Sequence, residues 1–468
     1  MRRFYWFSWL VLAIWLVVCL ATLDYNGPFY DEGIYLTAGV RTLQGHGLED
    51  GYLRWFAGSL LWPQMAGAAF RLGGLLAVRA LAALFAAAAF LGVVQAARNL
   101  FGQRAAFWTA LSFALSGPLL ALARLGVYDL PALAGIGLAF WGVTETVKRD
   151  NRLWLILAAL SYTLAVFSKY PLGLMLLPLA AVLIVSRKRK AALDLGLFGF
   201  VVGGLTLAFY MPARPELGAL VEVLAPKLTF EATPAMVWYT VFYFTLAPLC
   251  LCLLGWLAAR DQRPLATVLL LTMFIWPAYH IYAGYLLGLS KHVVFGFLFA
   301  YPLIGLALDT LWRKWSRPAA VLVSILFLAA LGYTQWQQLS MAWPDVRPTT
   351  AFLFEHMAPG DRVLSNESWP YTCCLYDQGL IESPRSVADV YDVYTRPEQV
   401  GDLCQYDWFV DSAFYPRWPP DVRDTVLNCG TYTPVHIDTR MVIGLTQDLE
   451  YVTYPVEIRV WHNDAMDR

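Results

Sequence analysis

Residues 5–35 read YWFSWLVLAIWLVVCLATLDYNGPFYDEGIY: a nineteen-residue apolar run, a turn at Asn26-Gly27-Pro28, then two adjacent carboxylates, Asp31 and Glu32. An α-helix needs roughly 20 apolar residues to cross the hydrocarbon core of a bilayer, so the run 5–23 predicts a first span. Asn-Gly-Pro is turn chemistry. The acids after it open an amphipathic helix reaching about Leu43. The pattern of long apolar runs recurs at 77–97, 105–123, 130–147, 153–168, 170–186, 193–211, 237–258, 265–287, 293–311 and 318–338, which predicts about eleven transmembrane helices. The stretch 55–75 is also apolar, but Trp62-Pro63, Gln64 and Arg71 interrupt it; it reads as an interfacial helix within an outer loop, 24–76.

Composition agrees. Hydrophobic residues make up 59% of the 468 and charged residues 15%, against about 25% charged in soluble proteins. A set of soluble globular domains is excluded. Residues 1–340 carry 25 Lys and Arg against 14 acids, a net of +11; residues 341–468 carry nine Arg, no Lys and 20 acids, a net of −11. The fold class read from this is a polytopic α-helical membrane domain, 1–340, followed by a soluble α/β domain, 341–468. An acidic tail behind a basic membrane part also excludes a nucleic-acid partner.

Orientation follows from the basic residues. With Arg2-Arg3 in the cytoplasm, the inner loops receive Arg98 and Arg104, Lys148 to Arg152, Arg187 to Lys190, Arg260 and Arg263, and Arg313 to Arg317. That is sixteen of the 25 basic residues before position 341. An odd number of spans then places the tail outside a cell (inner) membrane. No A-x-A site follows the first run, and Val17-Val18 before Cys19 is a poor lipoprotein box, so the first helix is expected to remain uncleaved.

In the tail, Arg362-Val363-Leu364, Trp408-Phe409-Val410 and Val456-Glu457-Ile458-Arg459-Val460 read as strands between Pro, Asp and Asn turns. Four cysteines lie here, at 373, 374, 404 and 429. They allow two disulfides in three full pairings, among which the sequence does not choose. Cys19, Cys250 and Cys252 fall in spans and read as packing residues. No Cys/His spacing suggests a zinc site.

The few charges near the outer face carry the chemistry. Asp31 and Glu32 either favour a helix N-terminus or present a general base at the membrane surface. Asp129 ends Ala-Arg-Leu-Gly-Val-Tyr-Asp with Arg124 five residues earlier, and Pro131 suits a helix start there. Lys169, in Ser-Lys-Tyr-Pro between two nearly continuous spans, either snorkels or pairs with an anion. Arg54, Arg79, Lys291 and His292 complete a cationic outer surface near two isolated acids.

Tyr-Asp-Glu-Gly-Ile-Tyr at 30–35 resembles the acidic first-loop motif of the GT-C superfamily of integral-membrane glycosyltransferases. The resemblance is closest to the branch that holds protein O-mannosyltransferases, the aminoarabinose transferase of lipid A and related transferases that decorate lipopolysaccharide. It extends over about 5–310, through Arg79 opening the next span, Arg-Leu-Gly-Val-Tyr-Asp at 124–129, Ser-Lys-Tyr-Pro at 168–171 and the basic pair Lys291-His292. The usual Pro-Pro segment after the first loop is replaced by Tyr52-Leu53-Arg54-Trp55. The resemblance implies an enzyme that passes a sugar, with inversion, from a polyprenyl-phosphate donor to a hydroxyl of a glycan, lipid or protein on the outer face of the membrane. By the motif match Asp31 is the base, Glu32 orients it or the acceptor, and Asp129 binds the acceptor or supports the base. Lys169, Arg79, Arg124 and Arg54 are implied phosphate partners, with Lys291 and His292 beside them. Some relatives bind a divalent cation near the acidic loop; this sequence does not require one.

The main rival is a multi-pass transporter or lipid flippase, which predicts repeated halves and broken helices at mid-membrane. No repeat is visible, and the polar residues cluster at the outer ends of spans. A structural or sensory role would leave Asp31 and Asp129 without work.

Overall fold

The computed structural model describes residues 2–48, 59–211, 233–286, 288–313, 317–389, 400–414, 420–429 and 431–466. Helices fall on the apolar runs. In chain order they are α1 (Arg2–Ala21), α2 (Tyr30–Leu43), α3 (Leu61–Phe101), α4 (Gln103–Ala114), α5 (Gly117–Leu122), α6 (Asp129–Arg149), α7 (Leu153–Ser168), α8 (Leu176–Arg187), α9 (Ala191–Tyr210), α10 (Pro234–Ala258), α11 (Arg263–Thr272), α12 (Ile275–Ala283), α13 (Leu289–Arg313) and α14 (Pro318–Ser340). Among the described residues, seven helical stretches are long and apolar enough to cross a membrane, and α7 and most of α1 are shorter apolar helices. The molecule is a multi-span membrane protein.

Two expected spans, 105–123 and 265–287, are each two helices rather than one, α4 with α5 and α11 with α12. At α3 the chain departs from simple helix more sharply. Its 41 residues would reach about 60 Å at 1.5 Å per residue, twice a bilayer core. Gly73 and Gly74 divide it, Gly74 with φ 62 and ψ −157, a conformation that only glycine adopts readily. The segment before the break is the stretch expected at the interface. It crosses α2 at backbone contact: a Cβ on Gly39 would lie 2.0 Å from the Pro63 carbonyl oxygen.

Burial sorts the helices. The most apolar window of α13 is 94% buried, whereas that of the stretch Tyr170–Tyr210 is 11% buried and that of α14 22%. α13 is the central strut, and the other two present their side chains outward, as helices facing lipid must.

Beyond α14 come α15 (Arg347–His356), β1 (Val363–Ser365), α16 (Trp369–Asp377), β2 (Val387–Asp389), β3 (Trp408–Ser412), α17 (Pro420–Leu427), β4 (Tyr432–Leu445) and β5 (Tyr451–Asn463). The five strands form one sheet in the order β2-β1-β3-β5-β4. β2, β1 and β3 run parallel, while β5 and β4 are antiparallel. Alternation along the strands packs Val363, Val387 and Val410 under α15 and α16, and Leu364, Ala388 and Phe409 on the opposite face with Val426 of α17. This is the α/β tail the strand runs predicted. One disulfide forms, Cys404–Cys429; Cys373 and Cys374 remain free thiols, as do the three in the helices.

The parallel strands end at Ser365, Asp389 and Ser412, and this edge meets α2. The Tyr30 hydroxyl donates to Asp389 Oδ2 at 3.3 Å. Gly33 lies so close to α16 that a Cβ would sit 2.1 Å from the Trp369 carbonyl oxygen. The tail therefore presses on the helix that carries Asp31.

Candidate active site

The loop between α1 and α2 is irregular backbone beside apolar helices, so its carbonyls need donors from elsewhere. Arg79, from α3, supplies them. Its Nη1 donates to Leu23 O at 2.9 Å and Asn26 O at 2.8 Å, and its Nη2 to Gly27 O at 2.8 Å. Nε and Nη2 also donate to Glu32 Oε1 at 2.9 Å and Oε2 at 2.8 Å. Glu32 accepts two further bonds, from Phe29 N at 2.8 Å and Gly126 N at 2.5 Å. Both side chains are 0% exposed. Arg79 and Glu32 thus join the first loop, α3 and the turn before α6 into one rigid unit.

Two residues expected in the transfer chemistry are bonded in this way. Arg79 has all five N–H groups engaged and offers none to a phosphate. Glu32 has both oxygens filled and takes the part of a helix-start residue that closes the scaffold. Arg124, also expected beside the phosphate, is buried, its guanidinium lying 4.1 Å from the Tyr25 ring centroid and 4.7 Å from that of Trp336. It donates to Thr22 O at 3.3 Å and to Ser340 Oγ. These contacts tie the end of α1 to the end of α14. Arg54 lies outside the described residues.

The remaining charges meet in two ion pairs. Asp31, in the first turn of α2, pairs with Lys291 at the start of α13, Oδ2 to Nζ 2.6 Å, with 22% and 18% of the side chains exposed. Asp129, at the start of α6, accepts from Lys169 Nζ at 2.6 Å, and there only 0% and 2% are exposed. The two pairs lie within electrostatic reach of one another: Asp31 and Lys291 act on Lys169, and Asp129 acts on Lys291. Lys169 sits where α7 stops, in extended backbone (φ −147, ψ 92) just before the turn Tyr170–Met175. Its ammonium lies 4.6 Å from the Tyr128 ring centroid. Among the described residues this cluster is charge-balanced, two acids against two lysines. Asp129 Oδ2 is buried with no hydrogen-bond partner among the described residues. His292, expected beside the phosphate, turns its Nε2 to Lys169 Nζ at 2.8 Å and its Nδ1 to His280 Nε2 at 2.8 Å. His280 is the residue that sequence reasoning missed, since a lone histidine in the apolar run 265–287 carries no signal of its own.

The acidic loop does not fit a divalent cation in this arrangement. Glu32 has no free oxygen and Asp31 is held by Lys291. Among the described residues no group of three or more His, Cys, Asp or Glu could hold a metal ion.

Residues 60–215, a third of the chain, match the family described as dolichyl-phosphate-mannose-protein mannosyltransferase. No curated protein sequence matches the chain. Among solved structures, apo ArnT from Cupriavidus metallidurans is similar over 98% of this chain and 98% of its own, at 16% identity and a TM-score of 0.66. The chain has the GT-C fold. ArnT bound to undecaprenyl phosphate shares that GT-C fold at 16% identity and a TM-score of 0.66, over 96% of this chain and 97% of its own. The apo oligosaccharyltransferase of Archaeoglobus fulgidus is similar at 11% identity and a TM-score of 0.60, over 96% of this chain and 74% of its own. Within this chain the family match takes in Arg79, Arg124, Asp129 and Lys169; Asp31, Glu32, Lys291 and His292 lie outside it.

Proposed function

We propose that the protein is a glycosyltransferase that moves a sugar from a polyprenyl-phosphate donor to an acceptor hydroxyl on the outer face of the cell membrane, with its tail, 341–468, on that same side. The observation that carries the reading is the meeting of two carboxylates and two ammonium groups, drawn from α2, α6, the end of α7 and α13, in a GT-C fold. The GT-C neighbour ArnT, crystallised with undecaprenyl phosphate, supports the donor class. The positive-inside pattern supports the orientation.

The chemistry needs two things. A phosphate is already a competent leaving group, so the enzyme supplies cations for the charge that gathers on it and a base for the incoming hydroxyl. Lys169 and Lys291 are the cations. Asp31, the more open of the two acids, is the base. Lys291 holds Asp31 through their 2.6 Å contact; a phosphate that draws the ammonium off would release the carboxylate as the donor arrives. The acceptor oxygen then attacks the anomeric carbon opposite the phosphate and its proton passes to Asp31. The C–O bond to the phosphate breaks, and a single displacement of this kind inverts the configuration. Asp129 steadies Lys169, and its buried Oδ2 can accept a hydrogen bond from a hydroxyl of the sugar or the acceptor. The acceptor is a hydroxyl of a glycolipid, polysaccharide or protein.

Asp31→Asn tests the reading. It keeps the size and a hydrogen-bonding oxygen but removes the base, a role typically worth 10²–10⁴-fold in rate. The purified variant should retain its fold and lose sugar transfer by about that factor. Full turnover in Asp31→Asn would dismiss the base.

A further inference from the structure

Behind Lys169 lies a partly buried polar chain that the transfer chemistry does not use. Lys169 Nζ meets His292 Nε2 at 2.8 Å, His292 Nδ1 meets His280 Nε2 at 2.8 Å, and His280 Nδ1 meets the backbone carbonyl of Tyr285 at 2.5 Å. Both imidazoles are enclosed by aromatic rings. His280 stacks near-parallel on Tyr285, with centroids 6.0 Å apart and planes at 11°, and His292 packs on Trp276 at 4.8 Å. The turn after α12 fixes the last link: Gly284, at φ 62, reverses the chain so that Tyr285 N returns to His280 O at 3.1 Å and the Tyr285 carbonyl faces the ring.

The direction of every bond follows from its far end. A carbonyl only accepts, so His280 Nδ1 carries a hydrogen. In a neutral ring Nε2 of His280 is then an acceptor. His292 Nδ1 must therefore donate to it, which makes His292 Nε2 an acceptor in turn. Its partner is the Lys169 ammonium, which only donates. With both rings neutral, this one arrangement satisfies all three contacts, and it points every N–H away from Lys169. The ammonium has three hydrogens: one goes to Asp129 Oδ1, one to His292 Nε2, and one is left.

We propose that His280 and His292 are positioning residues. Their one-way chain of donated bonds, anchored on the Tyr285 carbonyl, holds the Lys169 ammonium against Asp129 and aims its third N–H at the donor's phosphate. The proposal rests on the assignment of Lys169 to that phosphate. A lysine on a four-carbon stem has much rotamer freedom to lose on binding, and the two clamps remove that freedom before the ligand arrives. A packing role alone would need neither nitrogen of either ring.

The probe is undecaprenyl phosphate, with its dissociation constant measured by native mass spectrometry on the full-length protein in detergent. Lys169→Met should weaken binding roughly 10- to 100-fold, the range for a charged hydrogen bond. His280→Asn keeps an N–H for the Tyr285 carbonyl but loses the acceptor facing His292, so the protein folds and the chain is cut; binding should fall several-fold. His292→Gln, which keeps an acceptor toward Lys169, should bind better than His292→Phe. In the Lys169→Met background, His280→Asn should have no further effect, because there is no ammonium left to position. Additive losses, or equal binding by the two His292 variants, would overturn the chain and leave the phosphate assignment standing. Unchanged binding by Lys169→Met would overturn that assignment and the proposal with it.

Discussion

Replacing Arg79 by methionine separates a scaffold residue from a phosphate ligand. The guanidinium donates five hydrogen bonds at 2.8–2.9 Å, two to Glu32 and three to the carbonyls of Leu23, Asn26 and Gly27. Both members of the ion pair are fully buried. Removing one partner strands the other charge and costs about 3–5 kcal/mol. Each carbonyl left without a donor adds about 1–3 kcal/mol before the loop relaxes. The carbonyl costs shrink as water enters and the loop shifts, so the ion-pair term alone sets a floor of about 3–5 kcal/mol, a large share of the roughly 5–15 kcal/mol that stabilises a domain. The chain's 19 tryptophans make intrinsic fluorescence the natural readout of thermal unfolding in detergent. Arg79→Met should melt well below wild type. The double variant Glu32→Met/Arg79→Met should recover part of the loss, because it no longer buries an unpaired carboxylate. An Arg79→Met protein that melts like wild type but fails to bind undecaprenyl phosphate would refute the scaffold reading and return Arg79 to the ligand site.

Two further outcomes concern the tail and its contact with α2. Burial pushes the Glu367 carboxyl up to about 8, helped by the neighbouring Asp389 and opposed by a hydrogen bond to Ser412. The folded-state value lies above the unfolded one, near 4.5, so this group's contribution is complete below pH 4.5 and is lost as pH rises through 8. The loss is on the order of 5 kcal/mol by linkage. Unfolding midpoints should therefore fall from pH 5 to pH 9, and Glu367→Gln should flatten the profile; an unchanged slope in that variant would disprove the assignment. Gly33→Ala places a Cβ 2.1 Å from the Trp369 carbonyl oxygen and must push α16 away from α2. Limited proteolysis should then cut the tail faster, and transfer should drop with it; wild-type proteolysis would show that the contact yields without cost.

Most of the architecture was legible in the sequence because it rests on periodicity and composition. Runs of about 20 apolar residues have no other stable home than lipid, and the alternating strand runs of the tail need only a half-buried sheet. The breaks were harder to read. Gly73-Gly74 lies in a stretch whose interruption was read from Trp62-Pro63, Gln64 and Arg71 instead. Gly117-Pro118 after Leu115-Ser116 is breaker chemistry that the length of the apolar run 105–123 outweighed, and near Met273-Phe274 the one such signal is Pro277.

At the site, Asp31, Asp129, Lys169 and Lys291 drew attention as isolated charges at span ends. Their pairing joins residues as far as 260 positions apart, which no local pattern encodes. Arg79 and Arg124 were read as phosphate partners for a physical reason. A guanidinium fork suits a phosphate, but it also suits a buried loop whose carbonyls lack donors. The clue was present in Asn26-Gly27-Pro28: a tight turn next to a span leaves carbonyls that something must satisfy.

The account is tested most directly by the place where a polyprenyl phosphate binds. In a cryo-EM structure of the protein with undecaprenyl phosphate, the phosphate oxygens should lie about 3 Å from Lys169 Nζ, Lys291 should have turned from Asp31 toward them, and Asp31 should face the phosphate across a gap that fits a sugar ring. A phosphate held on another face, with the Asp31–Lys291 and Asp129–Lys169 pairs undisturbed, would contradict it.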